Sequence, residues 1–175
     1  AILVACRHLA QGCADLAAGR VADAIGAARA ALEAYARVDK QARGTAAGLL
    51  AEALLLAGDY PATVEAAQEA IDLSARSLRA QYEARAHGVM ARALLRRDGA
   101  AAREPAAAAL ASAAALIESS GATTLVPLLC EWRAELASVL GDEATRVQFL
   151  QEAQHGYDEI GAPLQAARIA RELDA

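Results

Sequence analysis

The sequence predicts an all-α fold: an α-α superhelix of about four antiparallel helix pairs, closed by a C-terminal capping helix. Three observations carry that expectation. Glycine-marked bends recur about every 40 residues, at Gly19-Arg20-Val21, Gly58-Asp59-Tyr60, Asp98-Gly99 and Gly141-Asp142-Glu143. Apolar residues keep helical spacing, as in Ala47, Leu50, Ala51, Leu54 and in Leu129, Trp132, Leu136, Leu140. The 175 residues are 56% hydrophobic but only 3% aromatic, with alanine prominent, which suits closely spaced helices with thin side-chain layers.

The elements follow in order. The first helix is expected over 2–18, ended by Gly19, and the second over 20–38. The third covers 41–57 and stops at Gly58. Asp59 is placed to cap the fourth, 60–77, with Pro61 in its first turn. The fifth, 79–97, runs into the longer connection Asp98 to Glu104, and Pro105 opens the sixth, 105–119, through the alanine run Ala106 to Ala109. Gly121 suits the position after a helix end, and Thr123 or Thr124 is expected to cap the seventh, 124–140, ahead of Pro127. The eighth spans 142–160, Gly161 ends it, and Pro163 starts the ninth, 163–174. Loops this short force sequential helices antiparallel. One unit, 1–175, then contains repeats near 1–38, 40–77, 79–120 and 123–160, with a cap over 162–175. In the cap, Leu164, Ile169 and Leu173 are expected to face the stack, with Ala166 and Ala170 permitting close approach. Gln165, Arg168, Arg171 and Glu172 are expected to face water.

Composition narrows the chemistry. Net charge is −5 with both signs interspersed, and the densest cationic pair is Arg96-Arg97, so no nucleic-acid partner is expected for this segment. The longest apolar stretches, such as Ala1 to Ala5, are too short for a membrane span. The opening lacks a basic region and does not read as a signal peptide; the chain reads as part of a longer protein. Cys6, Cys13 and Cys130 lack a CxxC spacing and are read as small buried thiols in a reducing cytoplasm.

No phosphate-cradling glycine loop and no GxSxG appear. His8 and Cys6 lie two apart on a helix and face different ways. Glu152 and His155 match the Glu-x-x-His spacing of di-iron bundles, but such a site needs a second copy and further glutamates. The pairs Glu65/Glu69 and Glu131/Glu135 sit four apart on single helices and lack the opposed placement of catalytic carboxylates. The expectation is a protein without enzymatic activity, cofactor or metal.

Residues 44–77 resemble a tetratricopeptide repeat: Ala51 at the small site of the first helix, Gly58-Asp59-Tyr60 at the bend, Thr63 and Ala70 in the second helix. Residues 5–38 match through Gly12, Gly19, Ala24 and Ala31. Residues 127–160 match through Ala134, Gly141-Asp142 and Ala153, with Arg146 where a small residue is usual. Residues 81–120 depart most: Gly88 fits, but Gly99 comes one turn late. The ending, Tyr157 to Pro163 and Ala166 to Leu173, resembles the C-terminal repeat region of large bacterial ATPase-linked signalling proteins. These include adenylate/guanylate cyclases and maltose-regulator-type transcription activators.

That resemblance implies a cytoplasmic bacterial interaction module for signalling or regulation, binding a protein or peptide segment, or a domain of its own parent chain, and allows a homo-oligomer. The alternative it implies is a sensory domain for a small-molecule or peptide inducer. By repeat register the concave side carries Leu9, Cys13 and Leu16, then Gly48, Glu52 and Leu55, then Tyr82, Arg85, Val89 and Arg92, then Leu128, Glu131 and Glu135. The candidate partner groove is Glu52, Leu55, Tyr82, Arg85, Val89, Arg92, Glu131 and Glu135. The arginines have two readings, as partner contacts or as internal partners of the glutamates.

Overall fold

The structure, a computed structural model, describes residues 2–39 and 42–174. It consists of α1 (Ile2–Ala17), α2 (Val21–Val38), α3 (Arg43–Ala57), α4 (Tyr60–Arg76), α5 (Ala80–Asp98), α6 (Arg103–Ser120), α7 (Val126–Val139), α8 (Glu143–Glu159) and α9 (Pro163–Leu173). Short 3₁₀ turns at Gly99–Ala102 and Thr123–Leu125 precede α6 and α7. No strand occurs among the described residues. The expected helix start at residue 41 and repeat start at residue 40 lie outside them, as do the two end residues.

Successive helices pack against one another, while α1, α3, α5 and α7 also touch along the stack. These four helices therefore form one layer. This is the expected superhelix of helix pairs, with α9 against α8.

The bends explain the antiparallel turns. Gly58 has φ +79° and donates its N–H to the Leu54 and Leu55 carbonyls, a left-handed helix end that glycine adopts without a Cβ penalty. Asp59 then accepts from the Ala62 N–H at 3.2 Å and caps α4. Between α4 and α5 the same turn is made without glycine: Leu78 takes φ +53° with its side chain 93% exposed.

Two end signals work differently from the sequence expectation. The connection after Asp98 is helical, and α6 begins at Arg103, so Pro105 lies in its first turn, where a missing N–H breaks no intrahelical bond. Thr123 and Thr124 do not cap α7; they form a 3₁₀ turn, and Leu125 holds the cap position without a side-chain bond.

Alanine fills the core. Ala24, Ala28, Ala31, Ala47, Ala51, Ala67 and Ala70 are fully buried between helices. Where helices cross most closely the residue is glycine: a Cβ on Gly12 would stand 2.8 Å from Leu49 Cδ2, and one on Gly156 2.8 Å from Pro127 Cγ. The single tryptophan, Trp132, lies among α5, α6 and α7 with its ring against Gly88. Cys130 is buried, but Cys6 and Cys13 are exposed: Cys6 accepts from the Tyr35 hydroxyl at the surface, and Cys13 faces the open space between α1, α3 and α5. In α9, Ala166 and Ile169 carry the packing and Leu173 is partly buried, whereas Leu164, one turn before the exposed Arg168, is itself 81% exposed.

Candidate functional site

The first helices of each pair bring their inward residues onto one surface. A cavity of about 220 Å³ lies between α1, α3 and α5, with Leu9, Cys13, Gly48, Glu52, Tyr82, Arg85 and Val89 in its walls. It shares Glu52, Arg85 and Val89 with a cavity of about 140 Å³ that adds Leu16, Leu55, Arg92, Leu128 and Trp132. That one shares Arg92, Leu128 and Trp132 with a cavity of about 350 Å³ reaching Glu131, Glu135, Arg146, Arg168 and Glu172. The three form one furrow, open to solvent, that runs from α1 to α9. Every residue placed on the concave side by repeat register lines it.

Its two ends differ in character. Near α1 and α3 the walls are mainly aliphatic and aromatic, with a single ion pair, Arg85 to Glu52 at 2.7 Å. Burial works against the Arg85 charge, but the Glu52 carboxylate and its hydrogen bond outweigh it and hold the guanidinium more firmly charged. Near α7 and α9 the walls are dense in charge. Arg92 and Arg96 both donate through Nε to Glu135, at 2.6 and 2.8 Å. Arg168 donates to Glu131 at 2.7 Å, and the Tyr157 hydroxyl donates to the same carboxylate at 2.5 Å. Burial first, and then the Glu131 hydrogen bond, push the Tyr157 phenol well above its ordinary value, so it stays a donor. Arg146 pairs with Glu143 at 2.9 Å and with Glu172 at 3.5 Å.

The internal pairing expected for the arginines is present in a specific form. Arg85 holds Glu52, but Arg92 holds Glu135 rather than Glu131, because Glu131 is taken by α9. Arg168 therefore reaches the furrow's rim while remaining exposed, its side chain 47% accessible. Two guanidinium groups share the single Glu135 carboxylate, and both use only Nε for it. Their terminal Nη groups donate to no protein atom among the described residues, so cation exceeds carboxylate locally at this pair, although over the whole end Arg92, Arg96, Arg146 and Arg168 are matched by Glu131, Glu135, Glu143 and Glu172. Partly exposed ion pairs of this kind contribute roughly 0–1 kcal/mol each, so they orient side chains more than they hold the stack together.

Sequence register missed Arg96, Trp132, Arg146 and Arg168. Arg96 continues the stripe of Arg85, Val89 and Arg92 at four-residue spacing and was legible there. Arg146 stands where a tetratricopeptide-like repeat has a small residue, and that mismatch was its signal. Among the described residues no group of three His, Cys, Asp or Glu side chains is placed to hold a metal ion, and no helix is long and apolar enough to cross a membrane. His155 lies 3.3 Å from Glu159 on the exposed side of α8.

No family model and no curated protein matches this chain. Solved structures do match. One is aspartyl phosphate phosphatase F from Bacillus subtilis, with a TM-score of 0.75 over 95% of this chain at 15% identity. The chain spans 43% of the length of that protein. At this identity the likeness concerns the fold.

Proposed function

We propose that this chain is a non-catalytic interaction module of a larger cytoplasmic regulatory protein, and that its furrow holds an acidic, partly apolar segment of a partner or of the parent's own ATPase domain. The observation that carries the reading is the Arg92–Glu135–Arg96 arrangement in the furrow wall: two cations on one carboxylate, with Nη groups that donate to no protein atom among the described residues. Guanidinium forks of this kind take carboxylates in paired hydrogen bonds. The apolar walls toward α1 supply the rest of the contact area. Binding there would favour one arrangement of the repeats and so bias the parent's active state. The resemblance of the last repeat to ATPase-linked regulators supports the choice of parent.

A sensory role for a small inducer is the second reading. It is favoured by the volume of the charged cavity, about 350 Å³, which lies in the range of small-ligand sites. The open, continuous furrow favours the extended segment.

Selection from a random short-peptide display library tests the proposal. The enriched peptides should combine Asp or Glu with bulky apolar residues. The double variant Arg92→Gln/Arg96→Gln should fold and bind them at least about tenfold more weakly, a loss of about 1.4 kcal/mol. Enrichment of basic peptides, or binding indifferent to the double variant, would refute the assignment.

A further inference from the structure

Glycines within the helices fall into two groups. Gly12, Gly44, Gly88 and Gly156 each lie against another part of the protein, so closely that a Cβ would meet a neighbouring atom at 2.8 Å or less. Helix packing explains them. Gly26 and Gly48 differ: a Cβ at either would meet nothing within 4 Å, and neither has the positive φ that favours glycine. A glycine inside a helix costs about 1 kcal/mol relative to alanine. Nothing in the described fold offsets that cost at these two positions.

Their surroundings differ. Gly26 stands on the exposed side of α2. Gly48 lines the furrow's roughly 220 Å³ apolar cavity, whose other walls include Leu9, Leu49, Tyr82 and Val89. A single water takes about 30 Å³, so the space suits a side chain.

We infer that Gly48 marks the seat of a bulky apolar side chain presented by the acidic segment that the furrow binds. The inference rests on the furrow reading above and adds the pattern the partner must show. Its apolar residue enters over bare α3 backbone at Gly48, beside Arg85. Arg92 lies seven residues beyond Arg85 on α5, about 10 Å along the axis, so the segment's carboxylate stands about that distance from its apolar residue, in either chain direction. The two cations that share Glu135 set the sign of that second contact locally.

Peptides enriched from the display library serve as the probe, measured against the parent protein, Gly48→Leu and Arg92→Gln/Arg96→Gln. Because the space over residue 48 is empty, Gly48→Leu should fold and melt no lower than the parent. It should bind the peptides at least about tenfold more weakly, a loss of about 1.4 kcal/mol. Replacing the peptide's bulky apolar residue by alanine should cost as much, and should cost Gly48→Leu nothing further. A folded Gly48→Leu that keeps full affinity, while the arginine variant loses it, overturns the seat and leaves the furrow reading standing. Peptides indifferent to both variants, or a library that yields no binder, overturn the furrow and the seat together. Failure of Gly48→Leu to fold overturns the seat, since it shows that the space is not free.

Discussion

Gly88→Ala is the most discriminating perturbation of the stack. Gly88 lies on α5 with the Trp132 ring of α7 directly over it, so that a Cβ there would overlap the six-membered part of the indole. Trp132 is 3% exposed and packs in one cluster with α6 residues such as Leu110 and Ile117, so the ring can retreat only toward the furrow. Overpacking a filled core costs about 1–3 kcal/mol, and three ring atoms in collision argue for the upper half of that range. Removing a helical glycine returns about 1 kcal/mol. The net expectation is a loss of about 1–2 kcal/mol, or about 2–8 °C in melting temperature for a chain of this length. Gly48→Ala is the matched control on α3; with nothing near its Cβ it should gain up to about 1 kcal/mol. Calorimetry and urea titration of both variants provide the readout. Trp132→Leu should make Gly88→Ala less costly than in the parent, the signature of a direct contact. A Gly88→Ala protein as stable as the parent would refute the close-packing argument.

Other consequences follow from individual residues. Leu78→Gly should raise stability by about 0.5–1 kcal/mol in urea titration, since it relieves a left-handed backbone without removing a buried side chain. Asp15, hydrogen-bonded by Gln11 and held by Arg20, titrates below the usual carboxylate range. Its contribution is therefore complete above about pH 4 and is lost as pH falls through the lowered value. The difference in urea midpoint between the parent and Asp15→Asn should be constant near neutrality and shrink below about pH 4. Deleting residues 162–175 uncovers the cluster of Cys130, Leu150 and Tyr157 and removes Arg168 from Glu131. The truncated protein should melt earlier and elute as a larger species in size-exclusion chromatography.

The helices were legible because their ends are written in local chemistry. Gly58 and Asp59 stop one helix and start the next through bonds made within a few residues, and such signals need no tertiary context. Where an end depends on distant packing, the local signal misleads: two threonines suggested a cap for α7, yet the chain enters it through a 3₁₀ turn. The furrow's lining was legible from register on α1, α3, α5 and α7, since each repeat presents the same face. Its charged end was legible only in part: Arg92, Glu131 and Glu135 came from register, but other members belong to elements outside that rule. Arg168 comes from the terminal helix, and Arg146 from the second helix of a pair. Which arginine takes which glutamate is likewise a matter of reach across helices more than 30 residues apart, as for Arg92 and Glu135, and spacing along the chain carries no such information.

Fluorescence of the chain's only tryptophan gives the most direct test of the furrow as the working surface. Trp132 lines both the central and the charged cavity, within reach of a segment lying along α5 and α7. Titrating a display-selected acidic peptide into the protein should shift or quench Trp132 emission with the same midpoint that calorimetry gives for binding. The change should move to at least about tenfold higher peptide concentration in Arg92→Gln/Arg96→Gln, equivalent to about 1.4 kcal/mol. Saturable binding by calorimetry with Trp132 emission unchanged would place the partner elsewhere on the protein and contradict the account.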